Sequence, residues 1–500
     1  MVNETKVGVP TPLTSRKGGE LLPERVTEKV ASYLDVADTL SMVKICRDFA
    51  YPHTDGIKLG RDGKALTGKV RCIKDLETVR HQTDRGFHLH LRFSDPFNEP
   101  LKPGDIPKGV VSIAFGDSFQ QPIDPGVIPV GVTDLSLSSS FNLPLKPGVI
   151  PKGVKKLDLG TEFNQRLEPG TLPKGLISLR LSRNFDQRLE DQVIPDSVET
   201  LDFGLMFNQP LKKGILPQSL KTLKFGLCFN QIVGLGLLPN QLESLTFGYF
   251  FNQPITRGAI PQSVRTVEFK GKFNQDLLPG VLPKGIKKLW LSRCFNRPLV
   301  MGTLPEGLQE LRLGGKFNRE LRSGIIPSTV THLFFSDEFN QSLSIGAIPE
   351  NVEVLHFGFE FNHEIPPGLL PNTLRKLIFA LEFNQRLQPG VIPDSVREIS
   401  LRGFNQKLEA GVFPPDLITL DFGTCFNQPI GSGVIPSKVV NLSFGYSFQQ
   451  PLVKGIIPEN VRHLIVKNPS TKIPQSAIPN GLETLNGMDY RDSYHIDKFV

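Results

Sequence analysis

Tryptophan occurs once among 500 residues, and cysteine and methionine five times each. The cysteines are odd in number and far apart, so they outline no disulfide framework. No apolar run reaches the roughly 18 residues that a membrane-spanning helix needs, so no membrane partner is expected. No apolar segment follows Met1, which predicts a chain without a secretory leader. These absences predict a reduced, intracellular, non-secreted protein, in which Asn441, Leu442 and Ser443 form a glycosylation sequon without consequence. The nine histidines fall at no metal-ligand spacing; His332 and His356 lie on adjacent strands with no third ligand beside them. No nucleophile elbow, metal set or paired-carboxylate cleft can be placed, so the expectation is a non-enzyme without cofactor or metal. Gly63, Gly68 and Lys69 have the spacing of a phosphate-binding loop. Val70, however, stands where the metal-binding hydroxyl belongs, and no apolar strand precedes the segment.

Phe, Gly and Pro are abundant instead, and Phe is periodic. It recurs every 22 residues from Phe97 to Phe383, steps once by 21 to Phe404, and returns at Phe426 and Phe448, making seventeen copies. A fixed period of this size means a stacked solenoid rather than a globule around one core. One copy runs Phe141, Asn142, Leu143, Pro144, Leu145, then Lys146 to Pro151, then Val154, Leu157 and Leu159. The last part alternates apolar and polar positions, the two-residue period of a half-buried strand. A Gly or Ser, such as Gly204 or Ser292, usually ends it. The remainder excludes a helix, because each interior proline removes a hydrogen bond and clashes with the preceding turn, at about 3 kcal/mol. Extended, polyproline-like segments and turns are expected there. The Gly seven residues after the Phe (Gly104, Gly126, Gly148, Gly170) is expected at positive φ, and Gln192 breaks that rule.

Strands of successive copies are expected to pair in parallel about 4.8 Å apart, giving a curved rod on the order of 80 Å long. At that spacing Cys228 and Cys294, three copies apart, are separated by about 14 Å, too far for a disulfide. Asn follows the Phe in fourteen copies, with Gln120, Asp186 and Gln449 in the others. Two roles are open for it: a ladder bonding the backbone of the next copy, or a local turn-former. The missing residue between Phe383 and Phe404 falls around Arg402 and Gly403, in a loop where deletions are tolerated.

The unit resembles the FNIP repeat, a leucine-rich-repeat relative named for its Phe-Asn and Ile-Pro pairs, here for example Phe141-Asn142 and Ile150-Pro151. The resemblance spans roughly residues 75 to 485, with His88 to Phe93 as a degenerate leading copy and Pro474 to Gly487 as a degenerate last one. It implies a mainly β, leucine-rich-repeat-like solenoid with a parallel sheet.

Before the repeats, Leu22 and Pro23 open a stretch with apolar residues at Val26, Val30, Tyr33 and Leu34, which is helical spacing. Asp35 and Asp38 suit a turn, and a second helix is expected through Leu40, Val43 and Cys46. That order resembles the F-box, with Phe49 where the family usually carries Trp. F-box-plus-FNIP chains form a family in giant DNA viruses of amoebae. The resemblance implies docking on the Skp-type linker of a cullin-RING ubiquitin ligase, through Leu22, Pro23, Val26, Val30, Leu34 and Leu40. The same apolar stripe also suits packing on the first repeat as a cap. The expected organisation is a disordered tail (1–19), an F-box-like helical module (20–52), a linker or N-terminal cap (53–86) with a short helix near Asp75 to His81, the solenoid (87–487) and a C-terminal tail (488–500).

Strand residues facing away from the core line the inner wall. One column there reads Ala114, Ser136, Asp158, Arg180, Asp202, Lys224, Thr246, Glu268, Trp290, Arg312, Phe334, His356 and Ile378. Trp and Arg are enriched in binding hot spots. Trp290, Arg312, Phe334, His356 and Ile378 are therefore the expected target-binding patch, unless a one-residue shift of register turns Trp290 inward. Net charge is +7, spread over every copy, which fits a solvated basic surface better than a nucleic-acid site. Two functions follow: a substrate receptor that presents a target protein to a ubiquitin ligase, or an interaction scaffold that never meets one.

Overall fold

A computed structural model describes residues 58–59, 65–83 and 88–489. The described strands form one 22-stranded sheet. From Ala65–Val70 to Thr484–Leu485 every sequential pairing is parallel, including Ser178–Arg180 on Thr200–Asp202 and Thr266–Phe269 on Lys288–Trp290. The strands are short because each copy holds only one apolar alternation before a Gly or Ser ends it. In Lys156–Asp158, Leu157 is buried and its neighbours are not, and the pattern repeats in Ser178–Arg180 and Thr200–Asp202.

The core is one continuous column. The repeated Phe is buried in every copy, as are the strand Leu, Ile and Val and the residues before the prolines. Successive repeat Phe rings stack with centroids 5.9 to 6.5 Å apart. Strands in a sheet lie only about 4.8 Å apart. Copies are thus closer at the sheet than at the Phe column, and the solenoid bends with the sheet on its inner side. The rest of each copy is turns and extended backbone without α-helix. The Gly seven residues after the Phe sits at positive φ, and Gln192 adopts the same conformation at φ 63°.

The Asn is a ladder. Fourteen Asn side chains and Asp186 each accept, through the side-chain oxygen, the backbone N–H of the residue after the Phe one copy on, at 2.8 to 3.1 Å. The 21-residue step leaves it unbroken, because Asn405 N–H still donates to Asn384. The deletion is absorbed at Arg402, which takes a φ of 44°.

Both ends of the core are closed. The helix Asp75–Thr83 buries Leu76 and Val79 against the core. Ala65–Val70, which carries Gly68 and Lys69, is a strand paired along its length with His88–Phe93, so those residues form no phosphate loop. The segment expected as a linker or cap thus adds a strand and a helix to the solenoid, and Lys58–Leu59 pairs antiparallel at its edge. At the other end Asn486 and Gly487, both at positive φ, turn the chain back, so that Met488–Asp489 pairs antiparallel with Thr484–Leu485. Asn-Gly is the preferred dipeptide for such a two-residue turn. Residues 1–57, with Leu22, Pro23, Val26, Val30, Leu34 and Leu40, lie outside the described residues.

Candidate binding surface on the inner wall

Because the middle residue of each strand enters the core, its neighbours project from the inner wall. Leu289 is buried while Trp290 is half-exposed, so the indole lies on the wall and not in the core. The register sets Trp290 opposite Arg312, Arg312 opposite Phe334, Phe334 opposite His356 and His356 opposite Ile378. All five residues of the expected patch are therefore brought together on adjacent strands.

The patch is ordered by charge as well as by register. The Arg312 guanidinium lies 4.6 Å from the ring centroid of Trp290 and 4.6 Å from that of Phe334. A cation sandwiched between two aromatic faces is attracted to both. Glu310 fixes the arrangement from the side. Its carboxylate accepts the Trp290 indole N–H at 2.9 Å and Arg312 Nε at 2.8 Å, and lies 3.4 Å from Lys288 Nζ. Burial works to raise the Glu310 carboxyl, but the hydrogen bonds from Arg312 and Trp290 and the charges of Arg312 and Lys288 outweigh it and hold it below the usual carboxylate range. The Glu310 side chain is 13% exposed against 48% for Arg312, so the anion is largely hidden and the cation is presented. The His356 ring lies beside Phe334, tilted by 39°, with centroids 6.1 Å apart. Burial, with the charges of Arg402 and Arg312, pushes its pKa down to about 4, so the ring is neutral at physiological pH.

The wall differs along its length. From Arg92 to Lys270 it encloses an open groove of about 830 Å³. Its floor holds Ala114, Ser136, Asp158, Arg180, Asp202 and Lys224, and one margin carries Leu205, Leu227 and Tyr249. At Ala114 and Ser136 small side chains stand where Trp290 and Phe334 fill the wall further on. Gly160, Gly204, Gly226 and Gly248, at the strand ends, also line it. The sequence signal for the groove is the column itself, whose first part is small or charged.

Cys72, Cys228, Cys294 and Cys425 are free thiols. Among the described residues, no group of His, Cys, Asp and Glu is arranged to hold a metal ion. No helix among them is long and apolar enough to cross a membrane.

The FNIP Repeat family model matches pairs of copies, some windows overlapping and some following one another, from residues 97–140 to 448–486, which covers most of the chain. Among solved structures, the chain is similar to CroV588, described as a novel circular leucine-rich-repeat protein, at 34% identity and a TM-score of 0.74. That alignment covers 79% of this chain, which spans 62% of the length of CroV588. A second match is the Toll–Spatzle complex of Drosophila, at 11% identity and a TM-score of 0.44, covering 82% of this chain and 61% of that one; it is too distant to carry an argument. A comparison with curated proteins found no match. The repeat unit, its parallel sheet and the family model agree: this chain belongs to the FNIP repeat family.

Proposed function

We propose that the chain is a protein-binding receptor that grips its target on the inner wall, and that its N-terminal module delivers the target to a cullin-RING ubiquitin ligase. The observation that carries the first half is the Trp290, Arg312 and Phe334 stack, held in place by a largely buried Glu310. Presented aromatic and Arg side chains whose geometry is already fixed lose little entropy on binding, and such residues dominate interface energetics. Repeat solenoids use their concave face in this way.

The second half rests on the order Leu22, Pro23, Val26, Val30, Leu34 and Leu40, which resembles an F-box. The chain then needs no catalytic residue of its own: it raises the effective concentration of target lysines beside the charged conjugating enzyme. A scaffold that never meets a ligase would share the inner wall and lack the linker contact.

A pull-down from amoebal lysate separates the two. The full chain is expected to capture a Skp-type linker, and Leu22→Ala/Pro23→Ala to lose it while keeping the target. Absence of the linker from the wild-type capture contradicts the ligase assignment and leaves the scaffold.

A further inference from the structure

The groove between Arg92 and Lys270 lies outside the Trp290 patch, and its chemistry differs. Five cations line it against three carboxylates. The carboxylates are engaged locally. Asp117 Oδ1 accepts the Ser139 hydroxyl at 2.6 Å. Asp158 accepts the Gly160 N–H at 2.9 Å and faces Arg180 at 3.4 Å, and Asp202 accepts the Gly204 N–H at 3.0 Å. Among the described residues, Arg92, Arg183, Lys224 and Lys270 have no carboxylate within ion-pair distance, and all four are exposed. The unspent charge in the groove is therefore positive. At its margin Leu227 is 37% and Tyr249 40% exposed, with Phe250 and Met206 beside them. Of these, Leu227 and Tyr249 line the same opening as the free cations, on adjacent turns.

We infer that this groove is a second docking site, built for an extended acidic segment of a partner protein that carries an aromatic or aliphatic anchor. Charge complementarity selects the acidic partner, and the Leu227–Tyr249 margin receives the anchor. The shape selects an extended segment. The lining residues span nine strands, on the order of 40 Å at strand spacing, which about twelve residues of extended chain would cover. The floor argues against nucleic acid. Asp158, Arg180, Asp202 and Lys224 follow one another on consecutive strands with alternating sign. Carboxylates spaced along a peptide can avoid Asp158 and Asp202, whereas a continuous phosphate backbone cannot.

The site shares with the proposed function only the premise that the inner wall binds protein. Its test needs neither a ligase linker nor a lysate, so either can fail alone. The probe is a fluorescent peptide of about twelve residues with four Glu and one Phe in a Gly/Ser background. It is titrated by anisotropy with the full chain, with a Lys-for-Glu peptide and a single-stranded oligonucleotide in parallel. Saturable micromolar binding of the Glu peptide alone is expected, weakening as salt rises. Arg183→Glu/Lys224→Glu should weaken it by about tenfold or more, and Tyr249→Ser should weaken it with little change in salt dependence. Lys146→Glu/Lys174→Glu, the same charge change on exposed outer segments, should leave it unaltered. Circular dichroism melts establish that each variant is folded. No saturable binding, equal loss in the outer variant, or tighter binding of the oligonucleotide would overturn the assignment.

Discussion

The side-chain oxygen of Asn142 accepts the backbone N–H of Asn164 at 2.9 Å, and Asn164 passes the same bond to Asp186. Gln165 Nε2 donates to the same Asn142 oxygen at 3.0 Å, so one amide serves two donors of the next copy. Asp186 shows what the position requires: it accepts Asn208 N–H at 2.9 Å without an amide of its own. Gln120, one methylene longer, does not take up the bond, and the ladder skips from Asn98 to Asn142. The position needs a short side chain bearing an acceptor.

Asn252→Ala should therefore leave the Asn274 N–H without its partner, and Asn252→Asp should keep it. Loss of an acceptor from a partly buried donor costs about 1–2 kcal/mol. Hydrogen exchange of the Asn274 amide should quicken accordingly in the Ala variant and stay near wild type in the Asp variant. Equal protection in all three would mean that the ladder contributes nothing.

Gln192 stands at φ 63° where the other copies have Gly. A side chain in the left-handed region costs about 1–2 kcal/mol, partly offset by the greater chain entropy that Gly loses on folding. Gln192→Gly should raise the stability of its copy by about 0.5–1 kcal/mol, read as a higher urea midpoint and slower local exchange. A destabilised variant would contradict this.

A Cβ on Gly248 would lie 1.6 Å from the Gly226 carbonyl oxygen, a backbone atom that cannot swing aside. Gly248→Ala should force neighbouring copies apart, at about 2–4 kcal/mol. The check is thermal unfolding of the purified variant, with a lowered melting temperature as the expected outcome. A wild-type melt would mean that adjacent turns are not packed this closely.

His356 gives the inner wall a pH response. Its folded pKa is about 4, set by burial and by Arg402 and Arg312, against an ordinary value of 6.5. Below pH 6.5 the unfolded imidazole takes up a proton that the folded one refuses until about pH 4. Its contribution to stability is thus complete above 6.5, declines as pH falls toward 4 and is flat below. Because the ring is partly exposed, screening keeps the effect modest. Chemical denaturation of His356→Gln across this window should show a shallower decline than wild type, and parallel curves would contradict the assignment.

The sheet and the core were legible because strand alternation and a fixed period each impose an apolar residue at set positions, as at Leu157 and Phe163. Trp290 was placed on the wall by the same alternation. The ladder could not be told from a turn, since Asn serves both and only the distance to the next copy decides. Ala65–Val70 was not legible as a strand because it lacks the Phe-Asn pair and carries Thr67, Gly68 and Lys69; it pairs because His88–Phe93 offers an open edge. The groove is an absence of side-chain volume around Ala114 and Ser136, and a missing volume shows only once the neighbouring strands are in register.

The central expectation is that the inner wall is the surface that holds a partner. The direct measurement is quantitative capture from host lysate by three forms of the full chain: wild type, Trp290→Ser/Phe334→Ser on the wall, and Leu278→Ser/Met301→Ser on the outer turns, where both residues are well exposed. The wall variant should lose target proteins that wild type captures through the Trp290 patch, keep whatever the N-terminal module binds, and melt near the wild-type temperature, and the outer variant should keep all of them. Retention of every partner by the wall variant, with loss in the outer one, would place the grip on the opposite side and contradict the account.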